Sequence, residues 1–304
     1  MISFVFPGQG SQKIGMSLDV VQNFTIAKEI LEEIEDAVSL NITRIIKDSS
    51  IEELTKTDNA QIAIFTASMV IWNTLKQYIA SSSVKYLAGH SLGEYSALAA
   101  SGFVSLGEAA QIVLQRGRIM AETSDSTRYK MCAILGLSAQ QVETILCDEV
   151  VIANDNSNMQ VVLSGIAKAV EKVAVRALNI GAKKVINLNT SGPFHSYFMK
   201  ESIEKLAKIL ENYEFFLPEF SVIMNVTASP LEDIGLLKNM MLEHVTNRVR
   251  WRESVDFMVK NGVNRIIEIG PSKVLTNLSK RAYPDVIMDG VENISELESF
   301  VKSI

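Results

Sequence analysis

The sequence is short of cysteine, of basic charge and of long apolar runs. Its 304 residues include only two cysteines, Cys132 and Cys147, so no disulfide framework is predicted and a reducing, cytoplasmic compartment is favoured. Lysine and arginine number 29 against 35 acidic residues, and a net charge of −6 argues against a nucleic-acid-binding protein. The longest uncharged stretch, residues 59–75, carries several polar side chains and predicts a buried helix, not a membrane span.

Histidine is also scarce. His90, His195 and His244 are the only three, and with two scattered cysteines they form no ligand pattern, so neither a metal nor another cofactor is expected. The first residues read as a strand, Ile2–Phe6, without a basic or apolar leader, so we predict no signal or transit peptide. The composition, 47% apolar and 21% charged, is typical of a globular protein with a sizeable core.

Two patterns of predicted secondary structure divide the chain. Strands alternate with helices in both flanks, which predicts a largely parallel sheet covered by helices on each face. The middle instead follows the order β-α-β-β-α-β, the pattern of a ferredoxin-like unit. We therefore predict an α/β protein with a large domain formed by residues 1–127 and 193–304 and an inserted small domain at 128–192.

The elements themselves follow from apolar periodicity, caps and turn residues. Helices are predicted near Met16 and at 24–36, 41–47, 59–79, 94–123 (broken near Gly102 and Ser105), 138–147, 167–178, 196–212, 235–246, 251–261 and 272–280. Strands are predicted at 2–6, in the apolar run from Val84 to Ala88, and at 131–135, 150–153, 161–164, 184–188, 221–225 and 265–269.

The motif Gly89-His90-Ser91-Leu92-Gly93 has the G-x-S-x-G form of a nucleophile elbow. It lies between an apolar strand-like run and an alanine-rich helical segment. That context matters because a serine nucleophile must stand on a tight strand-to-helix turn, where flanking glycines leave room for a strained backbone. The helix that follows also directs free N–H groups at the reaction centre. We predict that Ser91 is a nucleophile.

A serine hydroxyl needs a base, and histidine is the usual one near neutral pH. His90 is adjacent to Ser91 and points to the opposite side of the strand end, so it is interpreted as a packed residue. His195 lies in the loop Ser191-Gly192-Pro193-Phe194-His195-Ser196, where functional groups are often presented, and is the predicted base. Asp155 is the one acid in a suitable context, but it reads more simply as a turn residue. A Ser–His dyad oriented by a backbone carbonyl is therefore favoured over a triad.

Several further motifs occur in an order that covers nearly the whole chain. Together they resemble the malonyl-CoA:acyl carrier protein transacylase family. The motifs are Phe6-Pro7-Gly8-Gln9-Gly10-Ser11-Gln12, the elbow extended through Glu94-Tyr95-Ser96-Ala97-Leu98, Gln115-Arg116-Gly117-Arg118, Asn156-Ser157 with Gln160-Val161-Val162, Phe194-His195-Ser196, Val249-Arg250-Trp251 and Glu268-Ile269-Gly270-Pro271. The resemblance implies an α/β-hydrolase-like large domain interrupted by a ferredoxin-like small one, in agreement with the two patterns of predicted secondary structure.

The resemblance also implies roles for individual residues. Ser91 would be acylated, His195 would be its base, and the backbone N–H groups of Gln9 and Leu92 would form the oxyanion hole. Arg116 would bind the malonyl carboxylate, because a planar guanidinium grips a carboxylate with two parallel bonds. The remaining substrate-site positions implied by the family are Phe194, which would exclude an α-methyl group by its volume, His244 and Asn156.

The sequence departs from the family pattern before Trp251. The usual glutamine is His244 and the usual proline is Arg248. In the family, the main-chain carbonyl at the first of these positions orients the catalytic histidine, so a changed side chain is compatible with the role. A third departure is Asn158-Met159, which replaces the usual Pro-Gly and loosens the predicted turn.

The implied partners are malonyl-CoA and an acyl carrier protein, with no nucleic acid and no membrane, and the even spread of charge favours a monomer. Carrier proteins of this system are acidic, so docking on this acidic chain would need local basic patches. The candidates are Arg248, Arg250 and Arg252, or Lys183 and Lys184. Three alternatives stay open: a serine esterase or thioesterase, an acyltransferase serving a polyketide synthase, and a non-catalytic carrier-binding module.

Overall fold

The computed structural model describes residues 1–190 and 192–304, and these form nine β-strands and fourteen α-helices. The strands are β1 (Ile2–Phe6), β2 (Val84–Gly89), β3 (Tyr129–Leu135), β4 (Val150–Ser157), β5 (Gln160–Ile166), β6 (Lys184–Asn187), β7 (Val222–Ile223), β8 (Arg265–Ile269) and β9 (Ile287–Val291). The helices are α1 (Leu18–Asn23), α2 (Thr25–Val38), α3 (Ile42–Asp48), α4 (Ile51–Thr55), α5 (Thr57–Lys76), α6 (Leu92–Ser101), α7 (Leu106–Glu122), α8 (Ala139–Glu143), α9 (Ala167–Asn179), α10 (Lys200–Leu210), α11 (Leu237–Thr246), α12 (Trp251–Lys260), α13 (Val274–Ser279) and α14 (Ile294–Val301). Ser191, the first residue of the loop predicted to carry the base, lies outside the described residues.

Five strands form a wholly parallel sheet in the order β7-β2-β1-β8-β9. At its centre, Phe6 at the end of β1 lies opposite Gly89 at the end of β2. Successive side chains of a strand point to opposite faces, so Phe4 and Phe6 enter a large apolar core on one face while Val5 enters a second core on the other. Both faces are covered, as predicted for a parallel sheet.

Four other strands form a separate antiparallel sheet in the order β4-β5-β3-β6. This sheet has an apolar core of its own, which includes Ile134, Leu163 and Val173 of α9. Its outer strand β6 is mostly exposed. The order β3-α8-β4-β5-α9-β6 is the predicted order of elements. The chain is therefore a mixed α/β protein with one parallel and one antiparallel sheet.

Strand β4 attaches the antiparallel sheet to the rest of the molecule. The backbone N–H of Asp155 donates to the Val249 carbonyl at 2.9 Å, and the N–H of Val249 donates to Ala153 at 2.8 Å. Asp155 is 1% exposed and accepts hydrogen bonds from Arg252 Nε and Nη2 at 3.0 and 2.8 Å. The prediction of Asp155 as a turn residue is wrong, because β4 continues through Ser157 and takes Asp155 into a buried ion pair.

Predicted boundaries are close to the observed ones where caps and turns are strong. The helix predicted over 94–123 is interrupted as expected: α6 ends before Gly102, at φ 87°, and α7 begins after Ser105, whose hydroxyl accepts from the Glu108 N–H. Ser138 caps α8 as predicted, yet α8 ends at Glu143 and does not continue to residue 147. Elements α4, β9 and α14 were not predicted.

Helix α5 lies at the centre of the larger core. Its Trp72 packs edge-on against Phe4 and Phe6, with ring centroids 5.2 and 5.9 Å apart. Burial on nearly every side explains why residues 59–75 carry no charge, in agreement with the buried helix predicted there. Within the two described ranges, no helix combines the length and apolar character needed to cross a membrane.

Candidate active site

The predicted nucleophile occupies a strained turn at the carboxyl end of β2. Ser91 has φ 52° and ψ −107°, a conformation that costs free energy and recurs at functional sites. A Cβ on Gly93 would lie 2.0 Å from the Phe6 carbonyl oxygen, so only glycine lets α6 approach the end of β1 this closely. The packing of α6 against β1 thus holds the Ser91 side chain at the edge of the sheet, where it remains partly exposed.

The structure brings Ser91 and His195 together across 104 positions of sequence. The hydroxyl of Ser91 lies 2.8 Å from His195 Nε2, and Nδ1 of the same ring lies 2.9 Å from the main-chain carbonyl oxygen of His244. A carbonyl can only accept, so Nδ1 carries the proton and Nε2 is left free to accept from the serine hydroxyl. The arrangement is the predicted dyad oriented by a backbone carbonyl.

His195, the predicted base, is kept neutral by its surroundings. Burial of the His195 ring, which is 4% exposed, lowers the pKa of His195 well below the ordinary value of 6.5, and the neighbouring His244 and Arg116 lower it further. A neutral imidazole is the form that can accept a proton from Ser91.

Gln9 and Leu92, the predicted oxyanion-hole donors, follow the ends of neighbouring strands. A Cβ on Gly8 would lie 2.4 Å from the carbonyl oxygen of His90, so the backbone beside Gln9 runs against the elbow. Leu92 is the first residue of α6, and its N–H has no acceptor inside the helix. Both backbone groups are therefore positioned by the pairing of β1 with β2.

Arg116 of α7 is 1% exposed and reaches the nucleophile. Its Nη1 donates to Gln61 Oε1 at 2.6 Å, its Nη2 lies 3.3 Å from the Ser91 hydroxyl, and its guanidinium stacks on the Tyr95 ring, 5.0 Å from the centroid. Its Nε has no hydrogen-bond partner, and no carboxylate pairs with it, among residues 1–190 and 192–304. A buried cation that makes no direct ion pair within these residues, with a donor left over, is suited to bind an anionic ligand.

The other predicted substrate-site residues are placed less directly. Phe194 is 5% exposed and belongs to the large core, and a Cβ on Gly192 would lie 2.4 Å from its ring. Both ends of the Asn156 amide are hydrogen bonded to protein. Its Oδ1 lies 2.8 Å from His90 Nε2, and its Nδ2 donates to Gln160 Oε1 at 3.2 Å. Their roles toward a substrate stay predictions.

His90 points away from the serine hydroxyl, as expected for a packed residue. Its ring nitrogen meets Asn156 and its ring meets the edge of Trp251, with centroids 5.9 Å apart. Burial lowers the pKa of His90 to about 4, so the ring is neutral in the physiological range.

Three residues beside the reacting pair were missed in the sequence. Gln61 holds Arg116, Asn225 contacts the elbow, and Glu94 lies fully buried beneath it. Glu94 left a signal, since it is the one charged residue in an otherwise uncharged helix. Asn225 follows β7 and left none, because only the order of strands brings it beside β2.

The predicted basic docking candidates fare differently. Arg252 pairs with Asp155 and Asp256, Arg250 pairs with Glu253, and Arg248 pairs with Glu143 at 2.8 Å, so the charge of this cluster is largely compensated. Lys183 and Lys184 are exposed. Lys183 also lines an open cavity of about 670 Å³ together with Lys280 and Arg281.

The chain is similar to known proteins over nearly its whole length. The profile of a family described as acyl transferase domain matches residues 3–300. A malonyl CoA-acyl carrier protein transacylase from Bacillus subtilis (strain 168) is 38% identical over 286 residues, which cover 92% of this chain and 90% of that protein. The crystal structure of an acyl-carrier-protein-S-malonyltransferase from Bartonella henselae superimposes with a TM-score of 0.95 at 37% identity, covering 99% and 98% of the two chains. A structure described as a type II PKS acyl-carrier protein in complex with its malonyl-transacylase gives a TM-score of 0.94 at 32% identity, with 100% and 99% coverage.

Proposed function

This chain belongs to the acyl transferase family, as its motifs predict, and on that premise we propose that it transfers the malonyl group of malonyl-CoA to the phosphopantetheine thiol of an acyl carrier protein. The choice of malonyl as the acyl group rests on the position and burial of Arg116. A buried guanidinium that makes no direct ion pair in the described residues, 3.3 Å from the nucleophile, suits an acyl group that ends in a carboxylate.

In the first half-reaction Ser91 attacks the thioester carbonyl while His195 Nε2 takes the hydroxyl proton. The negative charge that develops on the carbonyl oxygen is stabilised by the N–H groups of Gln9 and Leu92. When the tetrahedral intermediate collapses, the carbon–sulfur bond breaks, and the CoA thiolate leaves with the proton held by His195. The product is a malonyl ester on Ser91.

The second half-reaction repeats these steps in reverse order with a new thiol. His195 takes the proton of the carrier's phosphopantetheine thiol, and the thiolate attacks the ester carbonyl. The carbon–oxygen bond to Ser91 then breaks, and the serine oxygen recovers its proton from His195. The mechanism is ping-pong and uses only groups supplied by the chain and its two substrates.

For docking of the carrier we propose the exposed cations around the cavity that Lys183 lines. Lys183, Lys184, Lys280 and Arg281 are all exposed, and they offer an acidic partner uncompensated attraction that the arginine cluster at 248–252 does not. Gln160 of the same cavity is hydrogen bonded to Asn156, and Asn156 to His90, the neighbour of Ser91. Lys183→Glu is expected to raise the KM for the carrier more than the KM for malonyl-CoA.

We also propose that residues 1–127 and 193–304 form an α/β-hydrolase-like domain and residues 128–192 a ferredoxin-like one. Supporting the division is the separate apolar core of the antiparallel sheet. Supporting the second name is the strand order β4-β5-β3-β6 for a β-α-β-β-α-β chain. Cytoplasmic location and a monomeric state remain proposals that rest on the two free cysteines and the even spread of charge.

The direct test is mass spectrometry after mixing the protein with malonyl-CoA. The wild-type protein should gain one malonyl group, and Ser91→Ala should gain none. Arg116→Ala should lose about 10- to 100-fold in preference for malonyl- over acetyl-CoA, because a charge-assisted pair contributes about 1.5–3 kcal/mol. Arg118, two residues further along α7 and exposed, provides the matched control, and Arg118→Ala should leave the preference within about two-fold. A malonyl adduct on Ser91→Ala would overturn the mechanism.

The same reaction mixtures separate the alternatives. A thioesterase would release free malonate as fast as it transfers malonyl groups, and a non-catalytic carrier-binding module would form no adduct. Transfer rates to one carrier of fatty-acid synthesis and one of a polyketide synthase identify which system the enzyme serves.

A further inference from the structure

Glu94 is a fully buried carboxylate to which the mechanism above assigns no task. It is the third residue of α6, one turn beyond Ser91, and its side chain is 0% exposed. Burying a carboxylate costs several kcal/mol unless its oxygens receive hydrogen bonds or charge partners. Its two oxygens face two different residues, and each of these contacts one half of the reacting pair.

The first oxygen of Glu94 binds Asn225, the residue that is hydrogen bonded to the backbone of Ser91. Glu94 Oε2 accepts from the backbone N–H of Asn225 at 2.5 Å. The side chain of Asn225 then accepts from the Ser91 N–H at 2.9 Å and donates to the Gly89 carbonyl at 2.6 Å. These two bonds grip both sides of the strained elbow, so the orientation of Ser91 depends on where Asn225 is held.

The second oxygen faces the residue that holds the base. Glu94 Oε1 lies 3.2 Å from Nδ1 of His244, and both side chains are 0% exposed. The carbonyl of the same His244 accepts from His195 Nδ1, and the two imidazole rings lie 5.1 Å apart. A shift of the His244 side chain would therefore move the carbonyl that sets the direction of His195.

We infer that Glu94 is a positioning residue that fixes the nucleophile and the base relative to each other, one through Asn225 and the other through His244. The inference rests on the proposed roles of Ser91 and His195. It assigns Glu94 no contact with substrate. The site needs such a link because Ser91 stands at the end of a strand while His195 comes from a separate loop. The two residues are 104 positions apart in the sequence, so the local backbone does not fix their relative position.

The test compares two acids at equivalent helix positions. Glu94 is the third residue of α6 and Glu108 the third residue of α7, but Glu108 is partly exposed and bonds only locally, to Ser105. Glu94→Met keeps the length of the side chain and removes both acceptor oxygens. We expect kcat and the single-turnover rate of Ser91 malonylation to fall about 10²-fold, because small misplacements of reacting groups have effects of this size, with KM for malonyl-CoA within about two-fold. Glu108→Met should leave all three within about two-fold.

A double-mutant cycle separates positioning from simple loss of stability. His244→Leu keeps the main-chain carbonyl and removes the imidazole that faces Glu94. If Glu94 acts on the base through His244, the double variant Glu94→Met/His244→Leu loses less than the product of the two single losses. Fully multiplicative losses would overturn the link to the base.

A milder variant covers the case in which Glu94→Met does not fold. Glu94→Gln keeps one acceptor oxygen for the Asn225 N–H and places an uncharged amide where the carboxylate faces His244. It should lower the malonylation rate about 10-fold in protein with wild-type circular dichroism. A folded Glu94→Gln or Glu94→Met variant that malonylates Ser91 at the wild-type rate overturns the inference. Absence of any adduct on the wild-type protein would instead overturn the proposed function.

Discussion

The two sheets of this protein contribute unequally to the candidate active site. Strands β1, β2 and β7 of the parallel sheet end at one edge, and the loops beyond them carry Gln9, Ser91 and Asn225. The antiparallel sheet brings the amide of Asn156 near the same edge, and both ends of that amide are hydrogen bonded to protein. Parallel strands gather their carboxyl ends on one side, whereas antiparallel strands alternate their ends, so only the first kind of sheet collects reacting groups from several strands.

The two sheets also differ in how they are buried. Both faces of the parallel sheet are covered by apolar cores. The antiparallel sheet packs one face on its own core and, through Met131, Ala133 and Val162, the other face on the large core, so its exposed part is the edge strand β6. A fully covered sheet is a rigid support for a strained turn such as that at Ser91. An exposed edge strand offers surface for a partner, which agrees with the proposed docking residues Lys183 and Lys184 at the start of β6.

The largest expected effect is the loss of the base. His195→Ala should lower kcat about 10³-fold, since a positioned general base contributes about 10²–10⁴-fold. Circular dichroism should be unchanged, because the loop is not part of either sheet. Steady-state transfer of radiolabelled malonyl groups measures the effect, and more than a tenth of wild-type kcat would contradict the role of His195.

A matched pair of core substitutions sharpens the comparison of the sheets. Leu87 of β2 and Leu163 of β5 are both 0% exposed, so replacing either by alanine should lower the free energy of unfolding by about 3 kcal/mol. Only Leu87→Ala should also lower kcat, because β2 carries the elbow. Urea unfolding and steady-state kinetics test this, with exposed Leu178→Ala as a control for stability. Equal losses of kcat in both variants would remove the distinction between the sheets.

The attachment between the two parts is the next target. Arg252→Gln leaves the carboxylate of Asp155, 1% exposed, without its ionic partner. We expect the free energy of unfolding to fall by about 2 kcal/mol, less than for a fully buried pair because Arg252 is 27% exposed. Arg248→Gln, which breaks the more exposed pair with Glu143, should cost less than about 1 kcal/mol. Chemical denaturation that ranks the two variants in the opposite order would contradict this account of how the antiparallel sheet is attached to the rest of the molecule.

The smallest expected effect concerns pH. His195 must be neutral to accept a proton, and its lowered pKa keeps it neutral, and the enzyme active, to pH values well below 6.5. After burial, the neighbouring His244 is the largest cause of that lowering, so His244→Gln should raise the pKa of His195. The acidic limb of the kcat/KM profile should then move to higher pH. A limb that stays in place, or moves to lower pH, would show that His244 does not act on the base electrostatically.

Much of the site could be predicted because it depends on local chemistry. A glycine-flanked serine between a strand and a helix specifies an elbow, and a Gly-Pro loop presents His195. Glu94 and Asn225 could not be assigned in this way. A buried acid on a helix has many possible partners, and the partner of Glu94 lies 131 residues away, in the loop after β7, which the chain reaches only after the antiparallel sheet.

The errors in the fold have a similar cause. Strand β9 is short, and its sequence contains Asp289 and Gly290, which disfavour strands, yet pairing with β8 at five positions makes it one. Asp155 stands among residues typical of turns, but the bond to Val249 and the ion pair with Arg252 extend β4 past it.

The α/β class, the two patterns of strand and helix, the serine turn and the scarcity of histidine that makes His195 the candidate base all follow from the order of the residues. Those features depend on neighbouring residues, whose preferences act over a few positions. Which carboxylate, amide and carbonyl hold Ser91 and His195 depends on the folded chain, because the order of strands sets the contacts between distant segments. The main-chain carbonyl of His244 makes the distinction plain: every residue has one, and the fold alone brings this one to His195.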